Sequence, residues 1–501
     1  MATSISLLAL ATSGSERWAL RTTPSGGHTL VDPTGLPLFV VALNHLTGPW
    51  YNDIIQGADG LLNHAASDCR AYDEECLNAD VLQKKYGGSW SAATEDFVAF
   101  AKSAHFNAAG YEFAPAPNMS WPYMPDLFVT NASHIFLMNG LVSFPDPWSA
   151  EFINTTDERI REWTRTAQHV NQPRVKRDVI GYYFEDQAVW DVVTTTPSPA
   201  AAAAGATDWV EATRSRTDGG PGKRAYIAFL QSRYGDTAAG LAACIKAYNV
   251  NAPPPFDSTW NDLNGWDFST VKRTRAIVAE DTLFLGEVAE QYFSIAANAV
   301  RRHDPGALVF GQRFLSNDAP LPVLAAAGRH FDVISVQPSG EMFGPPTPAI
   351  VAQIVETLRN MSVAAGNAPV FIADSSTHFY EHFPTLNGTD EKPGGCQLDH
   401  HGKLKPGTGC VANQTVAGEM YDDMVVALRA TDFVVGYAHC QYINRAVCHE
   451  WPVNAPGHCT KLGAMPALKQ GLLNYDGTPH ATLVAAVARA NQKVHAMGPR
   501  R

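Results

Sequence analysis

What this chain of 501 residues lacks narrows its class first. It has no run of 18 or more apolar residues, so a membrane-spanning helix is not expected. Basic residues are in deficit: 37 Lys and Arg stand against 49 Asp and Glu, a formal net charge of -12. Nothing in that balance supplies a basic face for phosphates, so a nucleic-acid partner is not expected. No pair of the eight cysteines has zinc-site spacing, and no Gly-rich phosphate loop follows the first apolar strand. Neither a structural metal nor a cofactor is therefore expected. Lys and Arg are also missing ahead of the short apolar run Ile5 to Ala11, so the N-terminus resembles a signal peptide without its charged n-region.

The remaining composition is that of a globular protein: 45% hydrophobic and 17% charged residues can build a large core. Six Asn-x-Ser/Thr sequons begin at Asn118, Asn131, Asn154, Asn360, Asn387 and Asn413, and together they suggest a secreted, glycosylated chain. The cysteines agree. Cys69 and Cys76, Cys396 and Cys410, and Cys448 and Cys459 lie close together in loop-like stretches and are expected as local disulfides, whereas Cys244 and Cys440 sit in apolar surroundings as buried thiols.

Along the chain, strands alternate with helices. After a possible signal or disordered segment over 1–16, Trp18 to Val31 reads as a hairpin around Pro24-Ser-Gly-Gly, followed by a turn at Asp32-Pro-Thr-Gly35. Strands are expected to start at Leu38, Asn107, Leu127 (a poor one, to Val129), Val179, Leu308, Phe331, Val370 and Phe433. Between them lie helical stripes: one capped by Thr94, one from Leu285 to His303 that stops at Asp304-Pro-Gly, one from Pro348 to Asn360, one from Val416 to Ala430 and one from Pro479 to Ala490. Eight β-then-α units predict an α/β fold, a (β/α)8 TIM barrel over 17–501 with long loops at the C-terminal strand ends and insertions at 191–222 and 387–413. The stretch Thr194 to Gly222 reads as a flexible loop. An open doubly wound sheet is the structural alternative.

In such a barrel the strand ends form the site. Here they carry Asn44 and His45, Tyr111 and Glu112, Glu185, Asp186 and Gln187, Arg313, Gln337, Asp374 and His378, then His439 and Gln441. Carboxylates expected on the fourth and seventh strands would face each other across the barrel mouth. Such a pair is what glycoside cleavage needs, one as proton donor and one as nucleophile or base. Taken singly, each could equally be a loop cap or half of a salt bridge. His378 and His382 share i,i+4 spacing but fall beyond a strand, which favours substrate hydrogen bonding or plain surface histidine over a metal.

The run Ile180-Gly-Tyr-Tyr-Phe-Glu-Asp-Gln-Ala-Val-Trp190 resembles the fourth-strand signature of clan A glycoside hydrolases close to β-agarases and β-galactosidases. Phe144-Pro-Asp-Pro-Trp-Ser-Ala-Glu-Phe152, Phe229-Leu-Gln-Ser-Arg-Tyr-Gly235, Trp260-Asn-Asp-Leu263, Phe310-Gly-Gln-Arg-Phe314, Asp332-Val-Ile-Ser-Val336, Gly436-Tyr-Ala-His-Cys-Gln-Tyr442 and Gly471-Leu-Leu-Asn-Tyr-Asp-Gly477 continue the resemblance in order. It runs from about Trp18 to about Asn491, and the order of the motifs makes it specific.

The resemblance implies a retaining mechanism, with the acid/base after strand four and the nucleophile on strand seven. This sequence departs from it at both places. Gln187 stands where the family has its acid/base Glu, Asp186 where it has Asn, and Asp374 where it has the nucleophilic Glu. A glutamine donates no proton in general acid catalysis. The expected roles are therefore Asp374 as nucleophile or base and Asp186 as proton donor, with Glu185 second. Gln187, Asn44, His45, Glu112, Arg313, Gln337, His378 and His439 would bind a carbohydrate substrate such as a galactan. Trp190, with Trp121 and Trp451, would stack on sugar faces or else pack in the core. The rival reading is a carbohydrate-binding pseudoenzyme on the same barrel. A third is a lyase using Tyr111 or a histidine as base.

Overall fold

The computed structural model describes residues 16–46, 86–111, 113, 115–116, 119–127, 129, 144–167, 172–173, 175–185, 190–192, 208–248, 259–268, 271, 273–315, 319–338, 348–379, 410–442, 471–473 and 478–498. Among these, no helix is long and apolar enough to cross a membrane. The six cysteines expected in disulfides lie outside the described side chains, as do Glu112, Asp186, Gln187, Trp451 and the side chain of His378. Cys244 and Cys440 are buried, as their apolar surroundings led us to expect.

The chain opens with the expected hairpin: β1 (Ala19–Thr22) pairs antiparallel with β2 (His28–Val31), and β3 (Pro37–Leu38) adds to β2. Gly35, at φ +89°, closes the second turn with its N–H on the Asp32 carbonyl, a conformation that costs glycine nothing. Then β4 (Val40–Leu43) is buried at every residue, as an unbroken apolar run requires of a strand covered on both faces.

Helix α1 (Trp90–Ser103) is capped by Ser89, not by Thr94, which lies inside it and is fully buried. Strand β5 (Ala108–Ala109) follows, then α2 (Ala150–Arg165) and β6 (Gly181–Tyr183). The expected loop after β6 is partly helical. Asp208 caps α3 (Trp209–Arg214) by accepting from the Glu211 N–H, and α4 (Pro221–Tyr234) begins with proline at its first turn, where no N–H is needed. Composition hid this, because one six-residue helix among small and polar neighbours resembles a linker. Helix α5 (Ala238–Tyr248) and the long α6 (Arg275–His303) complete the region. Helix α6 buries Leu285, Val288, Ala289, Tyr292, Ala296 and Ala299 on one stripe and ends in Arg301, Arg302 and His303, whose charge suits the negative end of the helix dipole.

In the second half, after β7 (Leu308–Gly311) and β8 (Arg313–Leu315), the main strands alternate with helices: α7 (Leu321–His330), β9 (Ile334–Gln337), α8 (Pro348–Ala364), β10 (Val370–Ser375), α9 (Gln414–Ala430), β11 (Val434–His439) and α10 (Ala481–Ala496). A six-stranded parallel sheet runs in the order β8-β9-β10-β11-β4-β5, and β6 pairs in parallel with β7. The expected third strand, Leu127 to Val129, forms no continuous ladder among the described residues: the Leu127 and Val129 N–H groups donate to the Tyr183 and Phe184 carbonyls, and isolated parallel bridges precede them, from Tyr123 to Ala109 and Val179 and from Asp126 to Tyr183. The fold is thus mixed α/β on a parallel sheet, and the described pairings do not form one closed sheet.

Two apolar clusters flank these strands. The larger joins their outer faces to the helices, with Val41, Leu43, Val309, Ile372 and Tyr437 facing residues such as Phe293, Leu358 and Val425. The smaller gathers the opposite faces, Val40, Ala42, Ala108, Met124, Ile180, Phe310, Val333, Phe371, Ala373 and Val435, and the hairpin covers it with Trp18 and Leu30. At the hairpin end, buried Asp304 ties Arg17, Lys176 and the Tyr182 hydroxyl together.

Candidate active site

The C-terminal ends of β4, β5, β10 and β11 lie side by side, with Ser375 beside His439 and His439 beside Leu43 in register. The chain leaves β4 through Asn44 and then His45, which sits at φ +56°. That left-handed conformation is uncommon for a side-chain-bearing residue and is held only where its surroundings demand it. Here the His45 N–H donates to the Tyr111 carbonyl at 3.2 Å, and its ring meets the Tyr111 ring edge-on at 4.7 Å between centroids.

Asn44 is fully buried and donates its Nδ2 to the Ala373 carbonyl at 2.9 Å, joining the end of β4 to β10 just before Asp374. Gly110 makes room for it, since a Cβ there would fall 1.6 Å from the Asn44 Oδ1.

Asp374, only 5% exposed, accepts a 2.6 Å hydrogen bond at Oδ2 from the Tyr111 hydroxyl. His45 Nε2 lies 2.9 Å from the same hydroxyl, and Cys440 Sγ lies 3.8 Å from it. The Arg313 guanidinium sits over the Tyr111 ring at 3.6 Å and over the Tyr183 ring at 5.3 Å, and Nη1 pairs with Asp126 Oδ1 at 3.4 Å. Both members of that pair are buried. Burial, together with the Asp126 and Asp374 carboxylates, drives the Tyr183 phenol well above its ordinary range although Arg313 opposes them, so it stays neutral.

The structure therefore gathers Asp374, Asn44, His45 and Arg313 around Tyr111. Gln337 ends β9 half-buried. Other expected residues lie elsewhere. Glu185 is buried, and its carboxyl takes a long 3.4 Å hydrogen bond from the Tyr292 hydroxyl on α6, in the helix layer. Trp190 is 1% exposed, stacked at 5.3 Å on Trp209 and packed against Tyr292 and Phe293. It is a core residue with no face open to a sugar. Trp121 is buried too, with Lys102 over its ring. The ring of His439 packs edge-on against Tyr421 of α9.

Sequence reasoning missed Asp126 as the partner of Arg313 and gave Tyr111 no role in holding Asp374. Asp126 lies on the barely paired third segment, where no strand pattern marks a strand end. Among the described residues, no cluster of three or more His, Cys, Asp or Glu is placed to hold a metal.

No family model matches the sequence, and no curated protein sequence matches it. Solved structures do. The chain is similar to an exo-β-agarase, with a TM-score of 0.65 at 18% identity, covering 96% of this chain and 65% of that one. It is also similar to the agarase AgWH50C, with a TM-score of 0.66 at 16% identity, covering 97% of this chain and 66% of that one. A third, BpGH50, has a TM-score of 0.55 at 14% identity over 97% of this chain and 83% of its own. The chain spans just under two thirds of the length of the first two. These likenesses show that the chain shares the fold of the agarase structures.

Proposed function

We propose that the protein is a glycoside hydrolase that cleaves a polysaccharide or oligosaccharide, a galactan such as agarose being the first candidate. The observation that carries this reading is Asp374. It is a buried carboxylate at the end of β10, fed by Tyr111 and surrounded by strand-end polar groups, in a chain whose fold matches agarases along nearly its whole length. Closure of the strands into a (β/α)8 barrel belongs to the same proposal. It is supported by the bridges through Tyr123 and Asp126, which lead from β5 to β6, and by the smaller apolar cluster, which gathers residues of β4, β5, β6, β7, β10 and β11.

In this reading Asp374 is the nucleophile or base and Asp186 the proton donor. Glu185 is a weaker donor because its carboxyl is engaged with Tyr292. Asn44, Arg313 and Gln337, with Glu112, Gln187 and His378, line the substrate region, and His45 stands behind Tyr111. The chain is proposed to fold as one catalytic domain and to be secreted, with its clustered cysteines oxidised. Asn154 and Asn360 are exposed on α2 and α8, where glycans could be carried.

Purified full-length protein should hydrolyse p-nitrophenyl β-galactoside or agaro-oligosaccharides, and Asp374→Asn should not. The pseudoenzyme reading is favoured by Gln187 and by the position of Glu185. A glycan array that shows binding, with no hydrolysis by wild type or by Gln187→Glu, would establish it.

A further inference from the structure

We infer that His45 is a positioning residue: its Nε2–H, acting through the Tyr111 hydroxyl, holds Asp374 as a carboxylate. The inference deepens the proposed hydrolase and rests on that reading for its kinetic arm alone. Three polar atoms lie in a row: His45 Nε2, the Tyr111 hydroxyl oxygen at 2.9 Å, and Asp374 Oδ2 a further 2.6 Å on. The hydroxyl has one proton and can give it to only one of these two close neighbours. If it goes to Asp374, Oδ2 accepts and carries no proton, and the phenol oxygen accepts from a protonated Nε2. If it goes to His45, then Nε2 is bare and Oδ2 must carry a proton that it donates to the phenol. The protonated atom of one imidazole therefore reports whether the carboxyl oxygen two links away carries a proton.

Two features select the first arrangement. The Arg313 guanidinium lies on the face of the Tyr111 ring at 3.6 Å, where it stabilises negative charge drawn onto the phenol and makes the hydroxyl a better donor. The backbone also sets His45 in place independently of its ring: the left-handed turn and the N–H bond to the Tyr111 carbonyl fix its Cα beside Tyr111. A two-point attachment of this kind orients a ring more than it fills space. Asp374 is one methylene shorter than glutamate, so it depends more on such orientation to present its carboxylate.

The test has two arms. In the first, full-length protein labelled with 15N-histidine is studied by ring 15N NMR at neutral pH, with His45 assigned through His45→Gln. A protonated Nε2 is expected, and Tyr111→Phe should shift that resonance. A bare Nε2 in the wild type overturns the proposal. The second arm is steady-state kinetics on p-nitrophenyl β-galactoside. His45→Ala should lower kcat by about tenfold, the worth of one buried hydrogen bond, with KM changed by less than about twofold. His45→Gln, whose side-chain amide can supply an N–H at a similar reach, should recover most of that loss. Equal losses in both variants, or a loss confined to KM, overturn it. Should wild type turn over no glycoside, the hydrolase reading fails while the tautomer still decides the proton chain. Should His45→Ala fail to fold, His45→Gln and the wild-type spectrum still decide.

Discussion

At Asp374 a buried carboxyl takes a short hydrogen bond from a tyrosine; in the helical region from Asp208 to Asp281, buried carboxyls meet arginines directly. There Arg214 meets Asp281 at 2.6 Å and Arg273 meets Asp208 at 2.7 Å, all four heavily buried, and the Lys223 ammonium donates to the carbonyls of Arg214 and Trp266. Burial still pushes the Asp281 carboxyl up to about 6 and the Lys223 ammonium down to about 7, so desolvation outweighs what the partners return. Around Asp374, a short hydrogen bond comes from the Tyr111 phenol, and the Arg313 guanidinium over that ring pairs with Asp126. The first arrangement cancels charge and locks helices together. The second sets a carboxyl at a strand end beside a phenol donor. Burial alone therefore does not mark a reactive group, and the chemistry of its partners does.

The comparison breaks most sharply at Asp374. Asp374→Asn should reduce turnover by about 10⁴-fold or more, as loss of a nucleophile does, while leaving the urea midpoint within experimental scatter. A comparable loss of stability would place Asp374 with the structural pairs.

Arg214→Met should do the reverse. It leaves Asp281 buried without its closest cation, at a cost of about 3–5 kcal/mol of stability by urea unfolding, with kcat per folded molecule unchanged. Trp190→Ala should also cost about 3–5 kcal/mol, because a buried aromatic is replaced by a cavity. Its KM should be unchanged; a marked rise would return Trp190 to the substrate.

Arg313→Lys tests the border between the two kinds of site. It keeps the charge but loses the planar group stacked on Tyr111, so kcat should fall by roughly tenfold with little change in stability. A last effect is on pH dependence. Lys223 binds its proton more weakly folded than unfolded, so between about pH 7 and its ordinary value near 10.4 the unfolded chain holds the extra proton. Stability should rise with pH through that window. Lys223→Met should remove that rise, measured as the wild-type-minus-variant difference in urea midpoint, whatever its effect on absolute stability.

The parallel strands and most helices were legible because their pattern is local. Four-residue apolar runs and stripes at helical spacing need no partner to be recognised, and Asp374 stood at the end of one such run. Helix α3 was not legible, because six residues among small and polar neighbours carry too little periodicity. Nor was the role of Trp190. It follows β6, and a sequence does not say whether a residue just past a strand turns toward the strand ends or back toward a helix. Packing decided it: Trp209, Tyr292 and Phe293 offered Trp190 an aromatic bed.

Thus the sequence by itself determined the α/β order, the hairpin, the burial of Cys244 and Cys440, and the strand-end position of Asp374, since alternation and composition act within a few residues of one another. Only the tertiary structure decided that Tyr111 would hold Asp374, that His45 would stand behind Tyr111, and that Asp126 would pair with Arg313. Those partners lie 263, 66 and 187 residues apart in the chain, and hydrogen bonds with a reach of about 3 Å are settled only when the strands that carry them are brought side by side.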